Sequence, residues 1–480
     1  MRSLFAAFSL LLPVAAHAHS FGRLYNLPVP FWLYAYGATA ALVLSFLIVG
    51  VFVTAKSTAG FERSLDLGDW RFVRVLRRLR LITALKILSL VFLLLCIATG
   101  FFGNPNPYQN LNMTLFWIVF VLGFAYATAL IGDLYSSINP WRVLAEGLGR
   151  FFRSDARGRW TYPEALAYWP ALLFYMAFIW LELFGHSRPF SLALMLAIYS
   201  GINLAGAGAF GIASWFRYCE FFSVFLRLTA LMAPLDYSKG KLRLRWPFAG
   251  LIEQRAESLS LLVFVLFMLS STAYDGLRTT VPWIRMFWND PLGLITPLIG
   301  GRTPILAYVE LRPFYLAYES LWMLASPFLY LAVYLLFIEL SRRAARSTRS
   351  LHELALRFAF SLLPIALVYN ITHYYTLIIT QGVKIFSLLS DPFGWGWNLF
   401  GSAGLWRAPY LPEMGVVWHS QVGLILFGHI VSVFLAHHEA LRVFPTRRAA
   451  TLSQLPMLVL MMLFTTFGLW ILAQPIQSGL

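Results

Sequence analysis

Long apolar runs alternate along this chain with short basic clusters, the pattern expected when lipid is the solvent for most side chains. Taking about 20 consecutive apolar residues as one span, the chain predicts ten helices near 30–54, 81–102, 112–132, 164–184, 190–212, 258–275, 313–339, 354–381, 415–438 and 451–475. Ahead of them, residues 1–18 carry Arg2, an apolar stretch from Leu4 to Ala16, and Ala16 and Ala18 on either side of His17. That stretch is short for a span and matches a secretory signal with an A-x-A cleavage site. The reading is a mature chain beginning at His19, a single integral membrane domain over 19–480, and an all-α polytopic helix bundle.

Charge orients the bundle. With the mature N-terminus outside, the loops after odd-numbered spans hold 27 Lys and Arg, among them Arg71, Arg142, Arg245, Arg342 and Arg447, whereas the opposite segments hold eight, including Arg278. The positive-inside rule then predicts a bacterial inner-membrane protein with both mature termini periplasmic. Two loops on the inner side, 133–163 and 213–257, read as amphipathic interfacial segments around Asn139-Pro140-Trp141 and Trp215. On the outer side, 276–312 and 382–414 are too rich in Trp, Gly and Pro to be solvated linkers, and are expected to fold back over the bundle. A division into five plus five spans would give inverted halves, though only Asp133 and Asp391 fall at comparable positions.

Composition closes off other classes. Of 480 residues, 59% are hydrophobic and 12% charged, with mean hydropathy +0.69, which excludes an ordinary soluble protein. The net charge of +16 would suggest nucleic acid in a soluble chain, but here it lies between spans beside anionic lipid. The expected partners are the bilayer and a lipophilic small molecule, with no nucleic acid and a partner subunit left open. Neither cysteine belongs to a CxxC pair, so thiol redox chemistry is not expected. Gly206–Gly211 spells GxGxxG inside an apolar helix with no preceding strand, so Gly201, Ala205 and Gly208 read as helix packing. His437-His438-Glu439 lacks metal-site spacing and reads as a polar helix end.

Candidate chemistry lies in ionisable residues within spans, which are costly in lipid. Span eight carries Asn370, His373, Tyr374, Tyr375 and Gln381; span nine carries His419, Gln421 and His429; span six ends in Ser270, Ser271, Thr272, Tyr274 and Asp275; span seven contributes Tyr318 and Glu319. Imidazole and carboxylate at matched depth could hold a divalent metal whose bound water becomes the nucleophile. The set to look for is Asp275, His373 and either His419 or His429, which lie ten residues apart and on different helix faces. Structural hydrogen bonding between helices is the competing reading. An N-terminal His19 could also chelate copper through two nitrogens, which would make this a metal-handling protein.

The run from His19 through Leu27-Pro28-Val29-Pro30, Gly132-Asp133, Asn139-Pro140-Trp141, Asp275-Gly276-Leu277, His373-Tyr374, Gln381-Gly382, the Asp391-Pro392 loop to Trp397, Leu399-Phe400-Gly401, Gln421 to Gly428-His429 and Ala436-His437 resembles the bacterial integral-membrane fenitrothion hydrolase family. The resemblance covers most of the chain. It implies hydrolysis of organophosphorus triesters at the P–O–aryl bond, with release of a nitrophenol. The resemblance carries over no catalytic residues; from their place in the spans Asp275, Glu319 and His373 stand as candidate catalytic residues, and Asp275, His373, His419, His429 and the N-terminal His19 as candidate metal ligands. The alternative is a secondary, proton-coupled transporter in which Asp275, Glu319 and His373 change protonation.

Overall fold

A computed structural model of the chain describes residues 29–53, 61, 63–68, 70–151, 158–237, 242–405 and 412–474. The expected signal segment 1–18 and His19 lie outside the described residues. The protein is an all-α, multi-pass membrane bundle, and nine helices among the described residues are long and apolar enough to cross a bilayer. The bundle helices are α1 (Phe31–Phe52), α2 (Leu81–Phe102), α3 (Leu111–Ile131), then, with the short α4 (Pro140–Phe151) between, α5 (Trp169–Phe184), a shorter apolar helix outside those nine, and α6 (Pro189–Phe210). After the short α7 (Phe221–Ala230) come α8 (Leu259–Arg278), α9 (Tyr308–Ala344), α10 (Leu363–Thr380), α11 (Met414–Val443) and α12 (Arg447–Ala473). The span expected over 164–184 is α5, a helix of 16 residues, about 24 Å long. It starts late because Pro163 and the Glu164–Leu166 turn occupy the beginning of that stretch.

The helices pack in two groups. α2, α3 and α6 form one, and α8, α9, α10, α11 and α12 form the other, with α5 set between them against α7, α8 and α9. α1 packs against α11 and α12 and so joins the second group, which replaces an even five-plus-five division. α8 is the hub: 94% of its apolar stretch is buried, against 11% for α2. Three short strands, β1 (Ser64–Asp66), β2 (Leu235–Asp236) and β3 (Arg243–Arg245), form an antiparallel sheet in the order β1-β3-β2. It joins the loop after α1 to the loop after α7, which therefore lie at the same end of the bundle.

The stretch 213–257 departs from its interfacial reading. α7 lies inside the bundle between the two groups, with Phe222 stacked on Trp141 at 5.9 Å and edge-on to Phe178 at 5.4 Å. Both ends of α7 are closed by charge. The Glu220 carboxylate accepts from the Phe222 and Ser223 amides at 3.1 and 2.8 Å, from Tyr199 Oη at 2.6 Å and from Asn139 Nδ2 at 3.0 Å. At the other end the buried Arg245 donates to the carbonyls of Ala230 and Ala233, both at 3.1 Å. A carboxylate at the N-terminus and a guanidinium at the C-terminus both complement the helix dipole. This allows ten residues with both ends inside protein to stay helical.

Other expectations resolve locally. The Asp391 loop folds back as expected: the Phe393 carbonyl accepts from the Asn104 amide at 2.7 Å. Within the GxGxxG stretch the packing glycine is Gly206, where a Cβ would lie 2.3 Å from the Trp215 indole, while Gly201 and Gly208 face open space. His437 is buried and hydrogen-bonded to Gln454 at 2.9 Å, and Glu439 pairs with Arg357 at 3.1 Å. This end of α11 is thus an interhelical contact.

Candidate functional site

The last turn of α8 carries Tyr274, Asp275 and Arg278, and the i, i+3 spacing places the last two on one face. Asp275 is 1% exposed, and its Oδ1 accepts from Arg278 Nε at 3.2 Å. Its Oδ2 accepts from Tyr374 Oη at 2.8 Å and lies 2.9 Å from His373 Nε2, both on α10. An ionised carboxylate only accepts, so Nε2 carries the hydrogen in this pair. The His373 side chain keeps 17% of its surface exposed against 1% for Asp275, and is the member a substrate can reach. Gly276 sets the spacing: a Cβ there would stand 2.6 Å from Ile471 Cγ2 on α12 and 3.5 Å from His373 Cε1.

Arg278 extends the cluster to α9. Its Nη1 lies 3.8 Å from Glu319 Oε1, and its guanidinium sits 5.3 Å over the Phe184 ring of α5. Tyr274 Oη donates to the Glu319 carbonyl at 2.8 Å. One guanidinium thus faces two carboxylates from two helices, at a depth where water screens little. An imidazole beside this ionisable cluster suits acid–base chemistry.

Beside this cluster a cavity opens between the helix groups, lined on its polar side by Glu182, Ser271, Thr272, Asn370 and Tyr374 and on its apolar side by rings such as Phe120 and Phe222. Its free space of about 40 Å³ suits roughly three waters. Asn370 is fixed there, accepting from Tyr126 Oη at 2.9 Å. An eleven-residue π-helical stretch of α3, Thr114–Phe124, supplies Phe120, Val121 and Leu122 to the wall. π-helical turns are rare and often mark functional sites.

Of the residues singled out by sequence, the fold brings Asp275, His373 and Glu319 into one network, Glu319 through Arg278. It keeps the other two histidines apart. His419 is exposed beside Tyr34, its Nδ1 2.7 Å from the Gly415 carbonyl. His429 is buried in α11 with Nδ1 2.8 Å from the Ile425 carbonyl. Among the described residues no three His, Cys, Asp or Glu side chains gather as a metal site. Asp275 and His373 are two donors where catalytic zinc sites keep three protein ligands, and Arg278 occupies the second carboxylate oxygen. The gathered donors therefore do not fit the expected divalent ion.

Two residues of the cluster escape a reading by sequence. Arg278 sits just past the apolar run and counts there as an outer-loop charge, although its spacing from Asp275 was the available signal. Glu182 is a lone carboxyl in an apolar span, so the rule that selects Asp275 and Glu319 applies to it equally. Comparison of the chain with protein-family models, with curated proteins and with solved structures finds no match.

Proposed function

We propose that this chain is a membrane-embedded hydrolase that cleaves the P–O–aryl bond of lipophilic organophosphorus triesters, the activity its sequence resemblance implies. The observation that carries this reading is the Asp275–His373 pair, an imidazole oriented by a buried carboxylate through a 2.9 Å contact. With Nε2 turned to Asp275, Nδ1 is the nitrogen that takes a proton. Water attacks phosphorus as it gives that proton to His373, and the P–O–aryl bond breaks with its electron pair leaving on the nitrophenolate. Such a leaving group needs no strong acid, and a positioned general base contributes about 10²–10⁴-fold. A neutral triester partitions into the bilayer and reaches the partly exposed imidazole laterally, on the periplasmic side in the expected topology. A divalent ion would need a further donor, for which the sequence offers His19. The test is nitrophenolate release from fenitrothion by detergent-solubilised protein, wild type against His373→Ala. Release that needs His373 and no ion gradient is expected, and no release by well-folded wild-type protein refutes the reading.

One observation favours a second reading, proton-coupled transport. Asp275, Arg278 and Glu319 tie α8 to α9, and His373 ties both to α10, so a change of protonation would loosen three helices together. Uptake in sealed vesicles that collapses with the proton gradient would support it.

A further inference from the structure

We propose that Glu182 is a proton-binding site inside the membrane, its carboxyl exchanging a proton with water in the cavity between the two helix groups. Glu182 stands in the last turn of α5, partly accessible, and lines the cavity. Its carboxyl makes no hydrogen bond or ion pair with any described residue. The charged groups acting on it are Asp275 and Arg278 from α8, and Tyr126 of α3, Tyr374 of α10 and Tyr175 of its own helix lie within reach of its charge. Arg278 is the one cation among them, and its Nε and Nη1 face Asp275 and Glu319. A carboxylate with no partner and a second carboxylate nearby is too costly in a membrane interior to persist, so the group carries a proton.

The cavity supplies what exchange requires. Water bound among Glu182, Ser271, Thr272 and Asn370 finds the two to four polar partners a buried water needs. The proton passes to such a water as hydronium, leaving the carboxylate, and returns by the reverse step, with nothing else consumed. The same wall is poorly arranged for an alkali ion. Asn370 Oδ1 is bonded to Tyr126, its Nδ2 faces Thr272 Oγ1 at 3.4 Å, and Tyr374 is turned to Asp275. Tyr374 lines the same cavity and donates to Asp275, so the cavity borders the Asp275–His373 pair. The site holds whether that pair hydrolyses or transports.

Dicyclohexylcarbodiimide, an apolar reagent that adds to protonated carboxyls, tests this on the full chain in native membranes, with peptide mass spectrometry as the readout. The expected result is an adduct on Glu182 that falls to background as pH is raised, is indifferent to Na⁺, and disappears in Glu182→Gln. A carboxyl stretching band in the infrared should disappear in the same variant, while gel filtration shows it folded. Labelling of Asp275 or Glu319 in place of Glu182, labelling blocked by Na⁺ at fixed pH, or no adduct together with no infrared band would overturn the proposal.

Discussion

The clamp on α7 makes a prediction whose sign changes with background. Arg245→Met keeps the apolar stem and removes the guanidinium, leaving the buried carbonyls of Ala230 and Ala233 without their donors. Each bond to a charged donor contributes about 1.5–3 kcal/mol net. Two of them, less the desolvation that Arg245 no longer suffers, give a loss of about 3–4 kcal/mol, within the range for breaking buried charged contacts. Gly250 approaches the same group: a Cβ there would stand 2.6 Å from Arg245 Cζ, so Gly250→Ala must push the guanidinium off its carbonyls. In the Arg245→Met background that obstacle is gone. Alanine in the helix Ala249–Glu253 should then stabilise, by up to about 1 kcal/mol. The assay is thermal unfolding of the detergent-purified protein, read by gel filtration of a fluorescent fusion, for the two single variants and the double. Melting should fall for each single variant and rise slightly from Arg245→Met to the double. Additive losses, or a Gly250→Ala protein as stable as wild type, would refute the clamp.

Other expectations are more local. Gly276→Ala should cost about 1–3 kcal/mol through overpacking against Ile471, and Ile471→Ala should restore melting temperature in the double variant. Asp275→Asn and His373→Gln should each lower hydrolysis by about 10²–10⁴-fold, and the double variant should be no worse than either, because the two act as one unit; multiplied losses would mean separate roles. In the loop before α9, Asp290 is opposed by desolvation, yet the amides of Thr296, Leu294 and Ile295 outweigh it and hold the carboxyl below the ordinary aspartate range. Its folded value is depressed, so the stability it contributes is present above the ordinary aspartate value and lost as pH falls through the lower, folded one. Hydrogen exchange at Leu294–Thr296 should quicken in that acid window, and Asp290→Asn should remove the pH dependence.

What the sequence disclosed follows from what lipid demands of it. The spans were legible because unbroken apolar runs have few other uses, and Asp275, Glu319 and His373 because charge inside such runs needs a reason. α7 was not, because a ten-residue helix that carries Arg227 and follows Arg217 looks interfacial; only its cap Glu220, with Asn139 and Arg245 from distant parts of the sequence, holds it inside. The parting of His419 and His429 was half legible, since ten residues place them on different helix faces. Which of them, if either, would join His373 depended on the rotation of α11, which no local pattern records.

The place of α1 bears on how the protein is made. α1 packs against α11 and α12, which are synthesised long after it, and α7 waits in the same way for α10. Until the C-terminal helices arrive, α1 has only lipid for company and α7 lacks one wall. Biogenesis therefore cannot proceed as a row of finished hairpins: α1 and α7 are held in a provisional arrangement, and the later helices complete both the bundle and the cavity at its centre.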